Sequence, residues 1–234
     1  MTDITLALIT GADIPIPECQ LTIHQPTIKE ISQIGETEFF QGIQFLCIPA
    51  QENFTSFQVF CQVMKDKQLI KKKEIILDTL LLFFPSYKIQ STPRALLFNN
   101  NEESIIIDEN NFSFLQEVVK RITCLTVNKQ EAFNPANEAA AKIARKLEEG
   151  RRRVAAQKQS GEDNSNKSVF SQYLSILSVN FHKTLKEVSE LTVFQVYDLI
   201  ERYALFESYD LDIRSRLAGA KPDEQPEDWR KNIH

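Results

Sequence analysis

The chain has 234 residues, of which 25% are charged and 42% hydrophobic, with a formal net charge of −5. Sixteen Phe beside many Leu and Ile can bury enough apolar area to offset chain entropy, which excludes a disordered protein. The acidic balance disfavours a protein that coats nucleic acid, and six Gly with three His leave little material for phosphate-cradling loops, a catalytic triad or a metal site.

The start, MTDITLALITGADIPIP, lacks a basic n-region, and the apolar stretch Ile4–Ile9 is short for a signal peptide. No run approaches the roughly 20 apolar residues of a membrane span. Residues 4–24 predict two short strands: Leu6, Leu8 and Thr10 alternate with their neighbours, Gly11-Ala12-Asp13 breaks the run, and Leu21–His24 returns. Pro15, Pro17 and Pro26 exclude helix here and point to an edge. Thr27-Ile28-Lys29-Glu30 is a capping box, and Ile28, Ile31 and Ile34 follow at helical spacing. Gly35 interrupts, and Glu38–Cys47 continues as a second helical piece. Ser56–Met64 reads as a short helix with Phe57, Phe60, Cys61 and Met64 on one face. Lys71–Lys73 precede an apolar helix, Glu74–Phe84; a basic run opposes the dipole at a helix start, so it reads as loop or first-turn surface. Leu96–Phe98 and Ile105–Ile107 flank an Asn-rich turn and predict a β-hairpin. A helix follows from Asn111 or Ser113 to Leu125, with Leu115, Val118 and Ile122 on its 3.6-residue period. Cysteines at 19, 47, 61 and 124 form no CxxC pair and read as reduced buried thiols of a cytosolic protein; a zinc site would need paired ligands.

Residues 134–167 differ in composition. Lys142–Lys158 holds seven Lys/Arg, including Arg151, Arg152 and Arg153, against two Glu; this +5 segment leaves −10 for the rest of the chain. No aromatic residue interleaves with the basic ones, so a solvated linker helix is the first reading, ahead of an acidic protein partner and of nucleic acid. Ser160–Lys167 has linker composition. Ser168–Val188 then predicts one amphipathic helix through Phe170, Leu174, Leu177, Phe181 and Leu185. Thr192 with Gln195 is a second cap, opening a helix with Phe194, Tyr197, Ile200 and Ala204 that runs to about Leu217 and ends at Gly219. Ser189-Glu190-Leu191 joins the two helices as a hairpin. Asp210/Arg214 and Asp212/Arg216 stand at i,i+4 and predict pairing on the helix surface; the alternative presents both Arg to an acidic partner or to the acidic tail. Trp229, the single Trp, lies in an extended tail and reads as an anchor, folded back onto its own protein or set in a partner interface. GxSxG, HExxH, GxxxxGK[ST] and GxGxxG are all missing, which predicts neither catalysis nor a cofactor.

The elements together predict an α+β fold, predominantly α-helical. It comprises an N-terminal α+β domain with short β-hairpins (1–133), a polar basic linker helix (134–167), a C-terminal helical hairpin (168–220) and an extended acidic tail with a Trp anchor (221–234).

Three stretches of the last third, LTVFQVYDLIERY (191–203), DIRSRLAGAKPD (212–223) and PEDWRKNIH (226–234), resemble the tail assembly chaperones of long-tailed bacteriophages. Family members carry a second Gly where this chain has Ala220 and a Met where it has Arg230. The first two-thirds is similar more loosely, through Ile9-Thr10-Gly11 and the helix start Pro26–Ile31. The resemblance implies a non-catalytic protein of the infected cell's cytoplasm that binds the tape-measure protein while tail tube subunits polymerise, with the tail tube protein and further copies of itself as additional contacts. The residues read as partner-binding are Arg151, Arg152, Arg153, Tyr197, Tyr203, Arg214, Arg216 and Trp229. The competing classes are a structural virion protein, at tail completion or the head–tail junction, and a nucleic-acid-binding regulator.

Overall fold

The computed structural model describes residues 4–66, 69–92, 94–100, 103–125, 168–219 and 228–230. The predicted linker helix over 134–167 and most of the tail lie outside the described residues. Helix dominates, with two small antiparallel sheets, as the α+β reading expected. No helix among the described residues is long and apolar enough to cross a membrane.

The first element corrects the sequence reading. Residues Thr5–Thr10 form a helix, α1, where a strand was expected. Ile4 and Leu8 are buried at i,i+4 while Leu6 is 73% exposed, so the pattern inward has helical period. The β-prone Ile and Thr are overruled by tertiary contacts: Gln25, itself buried, donates through Nε2 to the carbonyls of Ala7 and Ala12 at the helix end. Gly11 closes α1 with φ of 71°, the left-handed conformation that a Cβ disfavours. β1 (Ile14–Ile16) and β2 (Leu21–Ile23) then make the first hairpin, pairing Ile14 with Ile23 around a single 3-10 turn at Pro17–Cys19. Pro15 faces out from this edge, as expected.

α2 (Ile28–Ile34) opens on the predicted capping box. Thr27 Oγ1 accepts from the Glu30 amide, and Glu30 Oε2 accepts from the Thr27 amide at 2.8 Å. α3 (Glu36–Leu46), α4 (Ser56–Lys65) and α5 (Ile70–Phe83) follow. α5 begins a turn earlier than expected, and Lys71–Lys73 lie in that first turn, where Lys72 Nζ sits 5.3 Å from the Phe45 ring centroid. A second sheet has the order β3 (Lys88–Ser91), β4 (Leu96–Asn99), β5 (Ser104–Ile107); β4 and β5 are the predicted hairpin and β3 an added edge. Its inner face carries Leu96, Phe98, Ile105 and Ile107. α6 (Phe112–Ile122) completes this part.

The predicted single helix over Ser168–Val188 is two helices, α7 (Val169–Phe181) and α8 (Leu185–Ser189). His182 between them takes φ of 52°, and Thr184 with Glu187 forms a capping box that restarts the helix. That Thr-x-x-Glu signal is present in the sequence. α9 (Val193–Leu217) begins on the predicted Thr192/Gln195 box, which is also reciprocal.

One apolar core runs through all of these elements, from Ile4 in the first to Val196 in the last. Its centre is aromatic: Phe57, Phe60 and Phe112 lie within 6.4 Å of one another, and Phe84 meets Phe98 edge-on at 4.9 Å. α3 and α5 approach closely because Gly42 presents no side chain to the buried Thr79. Burial pushes the thiols of Cys19, Cys47 and Cys124 up to about 11, far from the reactive thiolate range.

His24 locks the end of the first hairpin to α2. Its Nδ1 lies 2.9 Å from Asp13 Oδ1 and its Nε2 3.3 Å from Glu30 Oε2. Burial pulls the imidazole pKa down, but the two carboxylates outweigh it and hold it above the ordinary 6.5. A raised histidine pKa stabilises the fold fully below about pH 6.5 and loses that contribution as pH rises through the folded value. The thermal midpoint of His24→Gln is therefore expected to fall below that of the native chain most at about pH 5.5, with the gap closing at alkaline pH. A gap independent of pH between these limits would show that the ring acts neutral.

Candidate partner-binding groove

Long-range polar contacts seat the C-terminal helices on the rest. Glu36, in the first turn of α3, accepts from the amides of Val169 (2.9 Å) and Phe170 (3.4 Å) and from the Ser168 hydroxyl, so a carboxylate of one helix occupies the positive end of another. Lys29 Nζ pairs with Glu190 at 2.6 Å, and the Ile28 amide donates to the Leu191 carbonyl at 3.0 Å. Thr27 and Thr192, the two helix caps, bridge each other in antiparallel fashion. Gln195 completes its box and also donates from Nε2 to the Ile9 carbonyl of α1 at 2.9 Å.

This seating opens a groove of about 700 Å³ between α1, α6, α7 and α9. Leu8, Leu125, Phe194, Ile200, Tyr173 and Tyr197 line its interior. Its rim is charged with both signs: Glu117, Lys120 and Arg121 from α6 stand across from Asp198 and Glu201 of α9. Ala204, exposed, marks its mouth. A second groove, of about 510 Å³, runs beside Ile28, Ile31, Phe170 and Leu174 and reaches the exposed Leu185. A third, of about 730 Å³, lies beside α4 and mixes Phe54 and Phe57 with Gln58, Lys65, Arg94, Asp108 and Glu109.

The described residues predicted to bind a partner lie at different points along α9 and on the Trp229 turn. Tyr197 packs into an aromatic cluster, 5.7 Å from Tyr173 and 6.3 Å from Phe170, and lines the main groove; burial first, then the charges of Tyr173 and its neighbours, push its phenol up to about 12. Tyr203 lies six residues on, about 120° around the helix, and is half-buried; slight desolvation and the Glu207 carboxylate hydrogen-bonded to it raise its pKa. Arg214 and Arg216 make the predicted i,i+4 pairs, to Asp210 at 2.8 Å and Asp212 at 2.7 Å. Arg151, Arg152 and Arg153 lie outside the described residues. Trp229 is half-buried against α9: its ring meets Phe206 edge-on at 5.4 Å, and its carbonyl accepts from Arg202 Nη1 at 2.9 Å.

Sequence reasoning passed over Phe206, Arg202 and Glu36. For Phe206 a signal exists: Leu199, Phe206 and Ile213 recur every seven residues on one side of α9. Tyr197 lies nine residues from Phe206, about two and a half turns, and faces the opposite way, into the core. Beyond its first turns α9 leaves the core, with Phe206, Leu211 and Leu217 exposed by 44%, 70% and 83%. Its chemistry is that of a surface: apolar side chains and charges, and no group of three His, Cys, Asp or Glu fit to hold a metal among the described residues.

The family profile described as YomV second domain matches residues 162–234. The C-terminal third of the chain is similar to a phage-derived domain. The matched stretch contains α7, α8, α9 and the Trp229 turn, hence one whole wall of the main groove. No curated protein and no solved structure matches the chain.

Proposed function

We propose that this chain is a non-catalytic tail assembly chaperone that holds apolar stretches of the tape-measure protein in the infected cell's cytoplasm while the tail tube polymerises. The observation that carries the reading is the groove between α1, α6, α7 and α9. Its apolar interior suits the stripe of an amphipathic client helix, and its rim of both charge signs suits the polar flanks of that helix. A chaperone must release its client, which calls for many modest contacts in an open groove rather than one enclosed pocket. The similarity of residues 162–234 to a phage-derived domain takes in α7 and α9, which form the groove's outer wall, and the first of the stretches that resemble tail chaperones, 191–203, lies along that wall.

Ala204→Arg tests this without touching the core, because Ala204 is exposed and a helix tolerates arginine. Co-expressed with the tape-measure protein, the variant is expected to recover at least about tenfold less client than the native chain, equivalent to about 1.4 kcal/mol, with an unchanged circular dichroism spectrum. Equal recovery would remove the groove from client binding. Mass spectrometry of purified particles separates the chaperone from a virion component: abundant copies in mature particles would favour the structural class.

A further inference from the structure

We propose that the face of α9 around Arg202 and Phe206 is a second recognition surface, one that takes an aromatic side chain of the client, and that the chain's own Asp228-Trp229-Arg230 turn is a tethered competitor for it. The proposal rests on the client-binding reading above and extends it to a surface outside the groove.

The occupant is on view. The Trp229 ring lies edge-on to Phe206, and Arg202 Nη1 donates to the Trp229 carbonyl, so the seat offers both an apolar and a polar contact. The turn that presents Trp229 is self-fastened: Asp228 Oδ1 accepts from the Arg230 amide at 3.0 Å and from Arg230 Nε at 3.1 Å. The seat is shallow, since Phe206 remains 44% exposed and Trp229 is half-buried, so the contact can open. Reach is no obstacle. Gly219, with φ of 99°, ends the helix about 20 Å beyond Phe206, and ten residues can span up to about 33 Å. A ligand tethered this closely acts at an effective concentration of roughly millimolar. A client segment must beat that to dock, and the tail can retake the seat when the client is drawn into the growing tube.

Because Trp229 is the single Trp of the chain, its fluorescence reports the seat directly. In the full-length protein, Phe206→Ala is expected to shift the emission maximum to the red; an unmoved maximum overturns the docking. A dye-labelled synthetic peptide of residues 221–234 is expected to bind full-length Trp229→Ala at least tenfold more tightly than it binds the native chain, whose seat is filled. Equal affinity for the two overturns the competition. In co-purification with the tape-measure protein, Trp229→Ala is expected to capture several-fold more client than the native chain. Reduced capture would make Trp229 a client contact and overturn its role as competitor. If the first two results hold and neither protein captures any client, the chaperone reading fails, and the tail remains a self-contact with nothing to compete against.

Discussion

Gly42→Ala is expected to lower the thermal midpoint by roughly 4–8 °C, against the usual sign of that substitution. Glycine inside a helix ordinarily costs about 1 kcal/mol relative to alanine, so the change would stabilise α3 on backbone grounds alone. Here the new Cβ would lie 2.7 Å from Thr79 Cβ on α5 and closer still to Thr79 Oγ1, and real Cβ atoms do not approach so near. Thr79 has nowhere to go: it is wholly buried, and its hydroxyl donates to the Ile75 carbonyl at 2.7 Å. Overpacking of this kind costs about 3 kcal/mol, which leaves a net loss of about 2 kcal/mol once the backbone gain is subtracted. In a chain of this length each kcal/mol moves the midpoint by roughly 2–4 °C. The interaction is identifiable by a double-mutant cycle: Thr79→Ala is expected to recover part of the loss, with a coupling of at least about 1 kcal/mol. Additive effects would mean that the two helices slide apart without strain.

Gln116→Leu is expected to cost about 2–4 kcal/mol, seen as a lower midpoint in urea with an unchanged slope. Gln116 is buried on α6, and its Nε2 donates to the Leu46 carbonyl at 2.7 Å and to the Ile48 carbonyl at 3.1 Å. Leu46 is the last residue of α3, where carbonyls have no partner within the helix. Leucine fills the volume and leaves both oxygens without that donor. Gln25 does the same work at the end of α1, yet its replacement is expected to cost less. Its Oε1 is buried with no hydrogen-bond partner among the described residues, so removing the side chain relieves one penalty while creating another. A larger loss at Gln25 than at Gln116 would contradict this difference.

Both residues show where sequence reading stops. Glutamine in an amphipathic helix looks like surface, and nothing nearby in the chain announces a carbonyl 68 or 70 residues away. The groove has the same character. Tyr197 was singled out from its own helix, correctly placed on α9, but its role as a wall residue depends on α1 and α6, which lie far away in sequence. Trp229 reads as an anchor from its isolation in the tail, but its seat on Phe206 is faint in the sequence, because the heptad of Leu199, Phe206 and Ile213 is a stripe of only three residues in a helix otherwise rich in charge.

The sequence by itself determined the helix starts at Thr27, Thr184 and Thr192, because a capping box is closed by residues three apart. It determined the β4–β5 hairpin and the Asp210/Arg214 and Asp212/Arg216 pairs for the same reason: every partner is local. Only the tertiary structure decided that Thr5–Thr10 is helix, since its β-prone residues are held by Gln25 and Gln195. Only it decided that Glu36 caps α7 from more than 130 residues away, and that α9 completes a groove with α1 and α6. Local hydrogen bonds are written in spacing and can be read from a chain. A groove is the space left where distant segments meet, and it exists only once they have packed.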